Sequence, residues 1–114
     1  MKIVRFEDIL SWQKSKELCI AINRIFGKSN DFGFRNQIER ASISIMNNIA
    51  EGFERKTNNE FRQFLYIAKG SCGEVRSMLY LANDLNKITQ QEFQALFQKS
   101  EEISKLLSGL IKTL

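Results

Sequence analysis

The sequence has 114 residues, and its 17 basic and 13 acidic side chains give a formal net charge of +4. This length is typical of a single domain, residues 1–114, that can bury a core without disulfides or a structural metal. The chain has no histidine and only two cysteines, so it lacks the commonest general base and cannot form a disulfide scaffold. The excess of positive charge permits an anionic partner without requiring one.

The N-terminal residues and the apolar runs predict where the chain resides. Residues 2–8 include charged side chains where a signal peptide needs its apolar stretch. The longest uninterrupted apolar run, residues 18–22, is far shorter than the about 20 residues of a membrane span. We therefore expect a cytoplasmic protein with no membrane partner.

The first predicted helix covers residues 9–26. Trp12, Cys19, Ile22 and Phe26 mark its inner face, and Gly27 is placed to end it in the left-handed conformation that glycine adopts without strain. Residues 1–28 also carry six basic and three acidic side chains, so most of the net positive charge of the chain lies on this segment.

The second predicted helix, 31–55, is apolar on two faces. One face consists of Phe34, Ile38, Ala41, Ile45, Ile49 and Phe53. The other consists of Ile43, Met46 and Ala50. A helix that is apolar on two faces must bury both, so we expect the second face to meet another subunit. The predicted oligomer interface consists of Ile43, Met46, Ala50, Phe53 and, from the next helix, Tyr66.

The third and fourth predicted helices, 58–86 and 90–112, show the clearest periodicity. Seven apolar or small residues hold one face of the third helix: Phe61, Leu65, Ala68, Cys72, Val75, Leu79 and Ala82. Thr57 with Glu60, and Thr89 with Glu92, have the spacing of capping boxes. Short connections favour antiparallel neighbours, and no stretch alternates like a strand. The fold class is therefore all-α, an up-and-down antiparallel four-helix bundle.

Positive side chains in the third helix recur every seven residues, at Arg62, Lys69 and Arg76. A row of cations about 10 Å apart suits a phosphate backbone, although such residues also pair with acids on a neighbouring helix. Six further basic residues could extend a nucleic-acid surface or form solvated helix faces: Lys14, Lys16, Arg24, Arg40, Arg55 and Lys56.

Several polar and glycine residues interrupt the apolar helices. Asn48, Glu51 and Ser71 predict a hydrogen-bonded network within the bundle or across a subunit contact, because buried polar groups need partners. Glycines at positions 52, 70 and 73 each cost about 1 kcal/mol relative to alanine in a helix interior. Close helix packing offsets that cost, and contact between a ligand and the backbone is the alternative.

Residues 37–52, QIERASISIMNNIAEG, resemble the signature of the four-helix-bundle proteins encoded in intervening sequences of bacterial 23S ribosomal RNA. The blocks at 6–14, 60–74 and 107–111 are similar to other parts of that family. The resemblance implies a bundle that assembles into a ring, typically a pentamer. The chain departs from the family pattern in having Met46 where proline is common and Glu39 where a second arginine is common.

Two functions remain open from the sequence. The first is a non-catalytic oligomer that binds structured RNA or other nucleic acid through its basic residues. The second is an adaptor or scaffold ring that binds a protein and has no nucleic-acid role. We expect no enzyme activity, no cofactor and no metal, because a bundle without histidine lacks the Glu-x-x-His pairs of carboxylate metal sites.

Overall fold

The computed structural model describes residues 2–114 and contains four α-helices. These are α1 (Leu10–Phe26), α2 (Phe32–Phe53), α3 (Asn58–Asp84) and α4 (Gln90–Lys112). Every predicted helix is present, and each end lies within two residues of its expected position. A short 3-10 helix at Phe6–Asp8, which the periodicity did not reveal, precedes α1.

The helices form a bundle measuring 43 × 22 × 19 Å, so the predicted fold class is confirmed. Helix α2 packs against α1 and α3, and α4 closes the bundle by packing against α3 and α1. Helices α1 and α3 therefore occupy diagonal corners, and their outer faces point in opposite directions. Within residues 2–114, no helix has the length and apolar content needed to cross a membrane.

The core follows the predicted periodicity. All seven residues predicted on the inner face of α3, from Phe61 to Ala82, are buried, as are Ile38, Ile45 and Ile49 of α2. In α1, Ile22 and Phe26 are buried as predicted, but Trp12 and Cys19 are only half-buried and Leu18 is buried instead, so the inner face is rotated by about one residue. Leu96, Ile103 and Leu107 contribute the α4 layer. Large aliphatic residues at this spacing fill the bundle interior, which explains why the sequence pattern was sufficient to locate them.

The helix ends were predicted less accurately than the helices. At Thr89 and Glu92 both reciprocal bonds of the capping box are present. At Thr57 the hydroxyl accepts the Glu60 N–H, but the donor to the Glu60 carboxylate is the Thr57 hydroxyl and not the Thr57 backbone N–H. The left-handed end expected at Gly27 is wrong, since Gly27 has a helical φ of −61°.

The only left-handed residue among those described is Asn86, with φ 57°, in the α3–α4 turn. The Lys87 N–H reaches back to the Ala82 carbonyl oxygen at 2.9 Å, which is the long bond of a Schellman ending. Asparagine tolerates this backbone conformation better than other non-glycine residues. The turn is therefore tight enough to return α4 directly alongside α3.

Gly52 allows α2 and α3 to approach closely. A Cβ atom at this position would lie 2.5 Å from Phe64 Cβ and 3.1 Å from a ring carbon of Phe61. The expectation of close helix packing is confirmed here. Gly70 is different, because no atom lies within 4 Å of the position that its Cβ would occupy.

Candidate nucleic-acid interface

The three cations of α3 lie along its boundary with α4. The Lys69 ammonium donates to the Ser108 hydroxyl at 2.7 Å, and one Arg62 nitrogen donates to the backbone oxygen of Leu114. Arg76 shares a small cavity with Ser104 and Lys105 of α4. Because α3 and α4 are antiparallel, Arg62, Lys69 and Arg76 contact successive levels of α4, and together they form what we call the α3 basic stripe.

No side-chain carboxylate lies within 4 Å of any cation in the α3 basic stripe, among residues 2–114. Two hydrogen bonds go instead to a hydroxyl and a backbone oxygen beside α4, and Arg62 also donates to the Asn59 side chain at 2.7 Å. Such partners fix the direction of each side chain without placing an acidic side chain against it. The expectation that these residues pair with acids inside the bundle is therefore not met within the subunit.

The innermost contact of the stripe involves Cys72. Its thiol is buried and lies 3.0 Å from the Ser100 carbonyl oxygen, and an Arg76 nitrogen lies 3.7 Å from the sulfur. Burial raises the pKa of the Cys72 thiol, and nearby Arg76 offsets only part of that increase. The thiol therefore stays protonated at neutral pH and adds no negative charge beside Arg76.

Lys105 extends the positive surface and was missed in the sequence. It lines the same small cavity as Arg76, one turn after Glu101 on α4. A signal was available, because Lys105 and Lys112 repeat the seven-residue spacing of the α3 basic stripe on the facing helix. The boundary of α3 and α4 consequently has more cations than acids.

The α1 cations do not form a continuation of this row. Lys14 is half-buried between Glu17 and Glu102, at 3.9 and 4.0 Å. The Lys16 ammonium lies 5.5 Å from the centre of the Trp12 ring. Arg24 is exposed in the last turn of α1. Of these residues, Lys14 has its charge largely compensated within the bundle.

The remaining predicted cations lie on two other surfaces. Arg40 lines a polar groove of about 490 Å³ between α2 and α3, with Glu74 on its α3 side. Arg55 pairs with Glu51 at 3.3 Å and covers the Phe64 ring. Lys56 is exposed in the α2–α3 turn. The structure therefore does not bring the nine predicted cations into one patch.

A polar network joins α2 to α3, with one member different from the prediction. The Ser44 and Ser71 hydroxyls are 2.9 Å apart, and the Asn48 amide donates to both the hydroxyl and the carbonyl oxygen of Ser44. Glu51 does not belong to this network. It is exposed and pairs with Arg55 one turn later, because a carboxylate near a helix end gains more from a cation and water than from burial.

The predicted oligomer interface residues divide into two groups. Ile43 and Tyr66 are exposed, by 46% and 57%. Met46, Ala50 and Phe53 are half-buried, since the Met46 sulfur contacts the Cys19 thiol at 3.7 Å and Phe53 packs edge-on against Phe61. Much of the second apolar face of α2 is therefore used inside the subunit.

No three side chains of the usual metal-binding acidic, cysteine or histidine types cluster closely enough within residues 2–114 to hold an ion. The geometry of the α3 and α4 boundary instead presents cations that are held in position without acidic side chains against them.

Comparison with known proteins identifies the family. The fold is similar to a crystal structure of a protein of unknown function from the S23 ribosomal protein family of Bacteroides thetaiotaomicron, with a TM-score of 0.85 and 28% identity. That match covers 90% of this chain and 99% of the other. No curated protein matches the sequence. The profile of the 23S rRNA-intervening sequence proteins matches residues 7–109, and the chain therefore belongs to the 23S rRNA-intervening sequence protein family.

Proposed function

We propose that this protein is a non-catalytic, self-associating bundle that binds structured RNA through the α3 basic stripe and the neighbouring Lys105. The observation that carries the proposal is that Lys69 and Arg76 are held in place with no acidic side chain paired to them, while Arg62 donates to the Asn59 side chain and to the backbone oxygen of Leu114. Cations that are positioned but not neutralised can each displace a counterion from a phosphate. Their seven-residue spacing sets them about 10 Å apart along the helix.

Self-association is supported by the outer face of α3. Among residues 2–114, half of the ten large exposed hydrophobic side chains lie on this helix or directly after it: Tyr66, Ile67, Tyr80, Leu81 and Leu85. Tyr80 is at the edge of this face and also packs against Phe93 and Phe97 of α4. The same face contains Gly70, whose cost in helix propensity no contact within the subunit offsets. A face with several exposed hydrophobic side chains around a glycine is typical of a surface that another helix covers.

A second copy of the chain is the occupant that best fits this face. The exposed charges of α3 outside the basic stripe are the acids Glu74 and Asp84, whereas the outer face of α1 carries Lys16 and Arg24 beside exposed Leu10 and Ile20. Because α1 and α3 are diagonal, such a contact is head-to-tail and repeats from subunit to subunit, closing into a ring where the rotation allows. By resemblance to the family we propose five subunits.

The RNA proposal is tested by fluorescence anisotropy with a labelled hairpin fragment of ribosomal RNA. The first variant combines R62Q, K69Q and R76Q, and its matched control combines R5Q, K28Q and R40Q, three exposed cations outside both the α3 basic stripe and the proposed subunit contact. Each set removes three positive charges and lowers the net charge from +4 to +1. We expect at least tenfold weaker binding for the α3 set and less than threefold weaker binding for the control set.

Equal losses of affinity for the two sets would indicate a response to net charge alone and would contradict an RNA site at α3. Circular dichroism melting of both variants shows whether each remains folded.

Self-association is tested by light scattering after size-exclusion chromatography. The wild type is expected above the 13.2 kDa of one chain, and I67E with L81E is expected to reduce the mass to that value. The control is Q94E with Q98E, which adds the same charge to the exposed polar face of α4. A wild type of 13.2 kDa at every concentration would contradict self-association and favour the adaptor, in which a different protein covers α3.

A further inference from the structure

A cavity of about 810 Å³ opens at the end of the bundle where α1 begins and α4 ends. Its walls come from the N-terminal segment, the first turn of α1, the α2–α3 turn and the last turns of α4. This volume falls within the range of small-molecule sites, about 300–1,000 Å³. The α3 basic stripe does not line it, so the cavity is distinct from the proposed RNA surface.

Ser11 lines this cavity, and its hydroxyl is the feature that points to a ligand. The residue is 2% exposed, and its oxygen has no hydrogen-bond partner among the described residues. The other three buried serines, at positions 15, 42 and 100, each donate to a carbonyl oxygen three or four residues earlier. A buried hydroxyl without a hydrogen-bond partner destabilises the fold, so a partner supplied from the cavity would stabilise the protein.

The local backbone explains why Ser11 lacks the bond that the other serines make. Helix α1 begins at Leu10, so the residue four positions before Ser11 is Glu7, which lies in the preceding 3-10 helix. The Glu7 carbonyl oxygen accepts instead from the Gln13 side chain at 2.9 Å. The Ser11 hydroxyl is therefore left without an acceptor inside the described chain.

The remaining walls define the chemistry of the ligand. Apolar side chains of α3 and α4, including Phe61 and Leu110, line much of the cavity. Three exposed cations also line it, Lys2, Arg55 and Lys56, against one acidic side chain, Asp8. This combination favours an apolar body with one anionic group over a neutral or cationic molecule.

We propose that the end cavity binds a medium-chain carboxylate or an apolar anion of similar size. The hydrocarbon packs against Phe61 and Leu110. The anionic group accepts a hydrogen bond from the Ser11 hydroxyl and is neutralised by the cations of the turn. Of these, Lys56 has no side-chain carboxylate within 4 Å among the described residues. The site is independent of RNA binding and of self-association.

Isothermal titration of the full chain with decanoate tests the proposal. We expect saturable binding of decanoate, and binding at least tenfold weaker for decyltrimethylammonium, which has the same hydrocarbon length and the opposite charge. Equal binding of the two probes, or no saturable binding of decanoate up to millimolar concentration, would overturn the proposal.

Two serine variants separate a ligand-binding role from a structural one. Ser11→Ala is expected to weaken decanoate binding about five- to tenfold while leaving the ligand-free protein at least as stable, because it removes an unsatisfied group. Ser15→Ala is the matched control: its hydroxyl is equally buried but donates to the Ser11 carbonyl at 2.6 Å. It is expected to lower stability and leave decanoate affinity unchanged. Unchanged affinity in Ser11→Ala would overturn the assignment.

Discussion

Replacing glycine by alanine at two positions should change stability in opposite directions. At Gly52, a new Cβ would meet Phe64 Cβ at 2.5 Å, a distance that the packed α2–α3 contact cannot absorb by rotating a flexible side chain. At Gly70, on the exposed face of α3, a new Cβ would meet nothing within 4 Å. The same chemical change therefore tests packing at one site and intrinsic helix propensity at the other.

The expected magnitudes follow from these two environments. Overpacking costs about 1–3 kcal/mol, and because Gly52 lies next to the last residue of α2, alanine recovers little helix propensity there. We expect Gly52→Ala to lower the free energy of unfolding by about 1–2 kcal/mol. Gly70→Ala removes the full mid-helix penalty of glycine and should raise the free energy of unfolding by about 0.5–1 kcal/mol.

Urea denaturation followed by circular dichroism measures both changes, at a protein concentration low enough to keep the chain monomeric. In thermal denaturation of a domain of this size, a change of 1 kcal/mol in the free energy of unfolding corresponds to a shift of about 4 °C in the melting temperature. A Gly52→Ala variant as stable as the wild type would refute the close approach of α2 and α3. A destabilised Gly70→Ala monomer would refute the open environment of the α3 face.

Three further predictions concern a helix cap, a titrating carboxyl and a thiol. Thr89→Ala removes the acceptor of the α4 capping box and should cost about 1 kcal/mol in urea denaturation; no decrease in stability would contradict the cap. The Lys87 ammonium, which donates to Asp31 at 2.8 Å, holds the pKa of that carboxyl below its ordinary value of 3.8. A carboxyl with a lowered pKa stabilises the fold above its ordinary pKa, and this stabilisation is lost as the pH falls through the lowered pKa. The stability difference between wild type and Asp31→Asn should therefore be present at pH 7 and decrease as the pH falls below 3.8. A difference independent of pH would contradict the ion pair. In a Cys19→Ser variant, which leaves Cys72 as the single thiol, the buried Cys72 with its raised pKa should react with dithionitrobenzoate only in denaturant, and rapid reaction in buffer would show that the α3–α4 boundary opens.

The sequence predicted the fold well because the fold depends on periodic burial. The seven residues predicted on the inner face of α3, from Phe61 to Ala82, repeat at helical spacing and are all buried, because one face of each helix must be covered in a small bundle. Local details at helix ends were less predictable. Gly27, directly after α1, has helical backbone angles, whereas the left-handed conformation occurs after α3, at Asn86. Several residues near a helix end can terminate the helix, and tertiary packing decides which one does.

The candidate site was only partly predictable, because residues on different helices meet in ways that one helix pattern does not encode. The spacing of Arg62, Lys69 and Arg76 placed them correctly on one side of α3. Nothing in that spacing indicated that their partners on α4 would be neutral groups such as Ser108. The unpartnered hydroxyl of Ser11 was equally invisible, because it depends on the 3-10 helix that precedes α1.

The salt dependence of RNA binding tests the central claim most directly. The dissociation constant of the labelled hairpin is measured from low to physiological salt for the wild type and for the variant with R62Q, K69Q and R76Q. We expect the logarithm of the binding constant to fall against the logarithm of salt with a slope of about −3 or steeper for the wild type. The slope of the variant should be shallower by about 2–3, roughly one unit for each phosphate that the variant no longer neutralises. A wild-type slope near zero, or the same slope for both proteins, would contradict an RNA surface at the α3 basic stripe.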